Sequence, residues 1–123
     1  MNVRKIVWVV FFITMLMNFS ALTMTSFMIT FWPCDGSFPC VGESNPATAR
    51  IFNDFGIPVM YVILIFIWLC AYVIFRALSK ADQELDMKLG LAIQLFLLAV
   101  ITPFIFLDFL ANVSALMWII WAT

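Results

Sequence analysis

The sequence predicts an all-α protein: three transmembrane helices, a short extracytoplasmic amphipathic helix and a loop holding two cysteines. Composition is the first reason. Hydrophobic residues make up 66% of the 123-residue chain, charged residues only 11%, and the mean hydropathy is +1.13. A water-soluble domain of this size buries only about two thirds of its surface, which is too little to hide so much apolar side chain. Lipid or neighbouring subunits must therefore solvate it. The second reason is three long apolar runs, at about 6–32, 57–76 and 89–121, which make one membrane domain. The third is the polar stretch 33–56 between the first two runs.

Arg4 and Lys5 precede the first run, which carries no charge from Ile6 to Trp32. A basic start before an apolar run also opens a signal peptide, but this run exceeds the length of an h-region, so it is expected to be kept as a span. At 1.5 Å per residue it reaches roughly 40 Å, enough to cross a bilayer with tilt. Thr14, Asn18, Ala21 and Thr25 recur at spacings of four, three and four, which places them on one helical stripe. Small and polar stripes let helices approach closely and hydrogen-bond, so the stripe predicts a packing surface. A substrate path lined by it is the functional alternative.

Trp32-Pro33 ends the first span. Cys34 and Cys40 follow, separated by the turn formers Asp35, Gly36, Ser37 and Pro39. A disulfide is expected there, closing a small loop worth about 2 kcal/mol. The alternative is a metal or redox site with Asp35 or Glu43 as further ligands, although two cysteines without histidine make a poor zinc set. Asn45-Pro46 reads as a helix start, with Asn45 as cap and Pro46 in the first turn. Ala47, Ile51, Phe52 and Phe55 then share a face, which predicts a short helix lying along the interface until Gly56.

The second span carries Pro58 in its first turn and closes at Arg76. Cys70 within it reads as a small packing residue. Residues 77–88 form a charged cytoplasmic turn in which Ser79 and Asp82 resemble a capping box. The third run holds Pro103, where a kink is expected, and Asp108. An acid in an apolar run is costly and is a functional candidate by default. Counted from Leu89 it lies about 28 Å along, near the outer surface. It is expected to pair with Arg50 or to cap the loop, and Asn112, one turn on, makes a polar contact patch with it. A proton or cation relay would need partners at other depths, for which Gln94 and Thr102 are the residues on this run.

Orientation follows from the basic residues. Arg4, Lys5, Arg76, Lys80 and Lys88 fall on one side of a three-span protein and only Arg50 on the other. The positive-inside rule puts the N-terminus in the cytoplasm, with the Cys loop and C-terminus outside. The net charge of −1 and the lack of a basic run argue against nucleic acid as a partner. The chain has no histidine, the commonest ligand for haem and copper and the usual acid/base group near neutral pH. No cofactor is expected on this chain, and no catalysis by it alone. Fourteen phenylalanines and five tryptophans cover every helix face. That predicts other integral-membrane subunits and structural lipids as neighbours.

Asn18, Thr25, the Glu43-x-Asn45-Pro46 sequence and Gly56 together carry a resemblance. Over residues 15–75 the chain resembles an uncharacterised family of small prokaryotic membrane proteins. Its members have three or four helices, an Asn…Asp…Thr helix and a Glu-x-Asn-Pro loop. Ala21 stands where that pattern has its aspartate. The resemblance implies a fold and no activity. In size and span number the chain is also similar to small accessory subunits of membrane oxidoreductases, such as archaeal ammonia monooxygenase or terminal oxidases. The expected function is a non-catalytic accessory subunit of such a complex. The alternative is a small homo-oligomeric transporter or channel-like protein using Asp108 and Asn18.

Overall fold

The computed structural model describes residues 2–32 and 46–122. It contains α1 (Val3–Phe31), α2 (Pro46–Phe55), α3 (Ile57–Leu85) and α4 (Leu89–Ala122). Helices α1, α3 and α4 are long and apolar enough to cross a membrane, as an integral membrane protein requires. The expected Cys34–Cys40 disulfide, together with Glu43 and Asn45, lies outside the described residues.

Each helix end has a local cause. Asn2 caps α1, its Oδ1 accepting from the Arg4 amide at 3.0 Å. At the other end the Trp32 amide donates to the Met28 carbonyl at 2.8 Å. Helix α2 stops at Gly56, whose φ of 87° suits a residue without a Cβ. Its amide donates to the Phe52 carbonyl at 3.2 Å. Helix α3 then starts with Pro58 in its first turn, where no intrahelical N–H is needed. Pro103 lies within α4, which is a single helix from Leu89 to Ala122.

Helix α3 is longer than the membrane crossing read from hydropathy. It continues past Arg76 to Leu85, so the charged connection shrinks to the residues around Asp86–Lys88. The physical reason is that charge ends a crossing without ending a helix. Residues 77–85 contain no glycine or proline, and Lys80, Gln83 and Glu84 are good helix formers. Ser79 and Asp82 therefore sit inside α3 and do not open a helix by a capping box. The turn comes at Asp86, which adopts the left-handed conformation (φ 48°), and the Met87 amide closes back on the Asp82 carbonyl at 3.1 Å.

The long helices are not packed evenly. Helix α1 lies most closely on α4, α4 contacts α3 less, and α1 touches α3 least. A buried cluster of Val7, Phe11, Trp68, Phe75 and Leu98 joins the three. Phe11 is its hub, 4.9 Å from Phe75 and 5.4 Å from Trp68 between ring centroids. Such ring pairs add about 0.5–1.5 kcal/mol beyond area. Many large apolar side chains outside that cluster face outward: Phe66, Phe104 and Trp121 are all exposed on helix surfaces. In α2, Ile51 and Phe52 are half-buried while Phe55 is exposed.

Candidate functional site

The polar side chains of the long helices converge on the seam where α1, α3 and α4 meet, in three layers. The first lies at the basic end. Asp82 is 2% exposed, in the last turn of α3. Its Oδ1 accepts from the Gly90 amide at 2.7 Å and its Oδ2 from the Leu91 amide at 2.8 Å. These are N–H groups of the first turn of α4, which have no partner within their own helix. The carboxylate also sits on the positive end of the helix dipole. Arg4 of α1 approaches Oδ2 at 3.4 Å, so one side chain ties three helices together.

Gly90 makes this possible. A Cβ there would lie 2.6 Å from the Leu78 carbonyl oxygen and 2.8 Å from Asp82 Oδ1. One turn further on, Gln94 is 1% exposed. Its Nε2 donates to the Phe75 carbonyl at 2.7 Å and to Ser79 Oγ at 2.9 Å. The amide thereby fastens α4 to a backbone carbonyl of α3.

The middle layer joins α1 to both partners. Thr14 is fully buried and donates to the Val10 carbonyl at 2.7 Å. That uses its only proton, so Thr102 Oγ1, 3.0 Å away on α4, is the donor between the two hydroxyls. Asn18 looks the other way, its Oδ1 accepting from Trp68 Nε1 of α3 at 2.9 Å. Ala21 is buried.

The third layer lies towards the opposite end. Thr25 donates to Asn112 Oδ1 across the α1–α4 contact. Asn112 in turn donates to the Asp108 carbonyl at 2.8 Å and approaches Asp108 Oδ1 at 3.4 Å. Thr23 and Tyr61 hydroxyls meet at 2.7 Å between α1 and α3. Ser26 Oγ, though buried, has no hydrogen-bond partner among the described residues.

Thr14, Ala21 and Thr25 of the stripe are all buried, and Thr14 and Thr25 bond to α4. Asn18, at the edge of the stripe, goes to α3. Asp108 and Asn112 do share a face and touch. Arg50 does not reach Asp108; it pairs with Asp54 one turn away on α2, at 3.8 Å between exposed groups. Asp108 is exposed on α4, with no lysine or arginine against it among the described residues. Sequence reasoning gave Asp82 a capping role and Arg4 a part in orientation, and it did not single out Gly90 or Trp68. The available signal was Gly90, a glycine at the start of an apolar run with an acid eight residues before it.

Chemically, these contacts fix helix register. Those of Asp82, Gln94, Asn18 and Thr25, and the Thr14–Thr102 pair, cross between helices. Among the described residues, no three His, Cys, Asp or Glu side chains come together. Compared with protein-family models, with curated proteins and with solved structures, the chain matches none.

Proposed function

We propose that the protein is a non-catalytic accessory subunit of a larger integral-membrane complex of respiratory or monooxygenase type. One observation supports this above the others. Thr14, Asn18, Gln94 and Thr102 bond across the helices, while most large apolar and aromatic side chains of the spans face outward. Such a bundle has its own internal fastening and an exterior suited to lipid and neighbouring helices. Asp108 and Asn112 supply a polar contact patch on that exterior. The respiratory or monooxygenase setting rests on likeness in size and span number. The N-terminus is read as cytoplasmic from the basic residues, which leaves Cys34 and Cys40 on the oxidising side as a disulfide.

Native gel migration after mild detergent extraction tests the reading. The protein is expected to migrate with other membrane chains. A monodisperse three-helix monomer without co-purifying chains overturns it.

The exposed position of Asp108 favours a second reading, a homo-oligomeric transporter in which copies place this acid along a path. In proteoliposomes Asp108→Asn then abolishes flux and leaves assembly intact. No flux from the unaltered protein removes this reading.

A further inference from the structure

Because α1 and α3 touch least, a trough runs between them on the outside of the bundle. Its deeper part has a volume of about 240 Å³ and is walled by Phe12, Met15, Phe19, Ile65, Trp68 and Leu69. Phe12 and Tyr72 also belong to a second hollow of about 340 Å³, so the two are continuous. The second hollow ends at Trp8, Arg76 and Ser79. We infer that this trough is a binding site for an anionic phospholipid, with an acyl chain along the aromatic walls and the phosphate at Arg76.

Three observations point to that occupant. The first is length. From Phe19 to Trp8 the trough follows α1 for about 16 Å, close to half of a hydrocarbon core about 30 Å thick. That fits one leaflet's acyl chain, whereas a partner helix crossing the bilayer would need about twice the distance. The second is depth. From Ile57 to Arg76 helix α3 rises about 28 Å, so Arg76 falls at the level of the headgroups. Trp8 and Tyr72 beside it are the amphipathic rings that favour that level. The third is charge. Arg76 is exposed and donates to the neutral Tyr72 hydroxyl at 3.0 Å. Among the described residues no carboxylate pairs with it. A guanidinium left unneutralised at the mouth of an apolar trough is matched by a phosphate.

This site does not depend on the subunit reading, only on the helices being in a bilayer. The test is native mass spectrometry of the full chain, purified in mild detergent and offered equimolar phosphatidylglycerol and phosphatidylcholine. The unaltered protein is expected to keep phosphatidylglycerol over phosphatidylcholine by roughly fivefold, the preference one cation at the surface supplies. Arg76→Gln should equalise the two lipids, while Lys88→Gln, away from the trough, should keep the preference. Ile65→Trp fills the trough and should lose bound lipid of both kinds with helicity unchanged by circular dichroism. The inference is overturned by no retained lipid, by equal retention in the unaltered protein, or by a preference that survives Arg76→Gln. A preference lost equally with Lys88→Gln, or a co-purified polypeptide cross-linking at position 65 in place of lipid, also overturns it.

Discussion

Asp82 and Asp108 are both acids on predominantly apolar helices, and the fold treats them in opposite ways. Asp82 is buried and receives two backbone amides and a guanidinium. Asp108 faces outward, and among the described residues the Asn112 amide is the hydrogen-bond donor near its carboxylate. The contrast teaches what each acid is for. A carboxylate tolerates burial when an adjacent helix start offers orphan donors and a cation completes the set. An outward acid in an apolar surface finds no cation among the described residues. One fastens helices within the fold, and under the proposed function the other is a contact for assembly.

Breaking the Asp82 side should produce the largest effect. Gly90→Ala puts a Cβ against the Leu78 carbonyl and Asp82 Oδ1, which forces α3 and α4 apart. A loss of about 2–3 kcal/mol is expected, read as a lowered midpoint in unfolding from detergent micelles. Asp82→Asn comes next. An amide has one acceptor oxygen where two backbone amides need one each, so its NH2 must face a donor. Thermal melts should show a clear fall, with Arg4→Gln causing a smaller one. An Asp82→Asn protein as stable as the unaltered one would remove the folding half of the comparison.

Smaller effects sharpen it. Thr14→Val removes the acceptor for Thr102 and should cost about 0.6 kcal/mol, the average for hydrogen bonds between membrane helices. Thr14→Val with Thr102→Val should recover part of it, since both orphaned groups are then gone. Arg50→Ala breaks only an exposed i,i+4 pair and should change stability by less than about 0.5 kcal/mol. A large loss there would mean that α2 is fastened by more than its apolar contacts.

Much of this bundle was legible in the sequence because its causes are local. Three crossings follow from hydropathy, and the stripe of Thr14, Asn18, Ala21 and Thr25 follows from helical period, although the period does not tell that Asn18 turns to α3. Both depend on near neighbours and survive packing. What was not legible depends on where distant helices arrive. Asp82 looks like a cap for its own helix, yet the turn at Asp86 swings α4 back so that Gly90 and Leu91 reach it. The length of α3 was hidden because charge marks the end of a crossing without ending a helix, and the actual stop is the left-handed Asp86 rather than a glycine or proline. Arg50 illustrates the reverse case. A partner one turn away on α2 is closer at hand than Asp108 on another helix, so the local pair forms.

The most direct measurement is the native mass of the particle extracted with the unaltered chain and with Asp108→Asn. The account predicts a large assembly for the former. For the latter it predicts release of an intact, fully helical subunit of 14.1 kDa. A bare monomer in both cases, or an Asp108→Asn chain that unfolds as Asp82→Asn does, would contradict it.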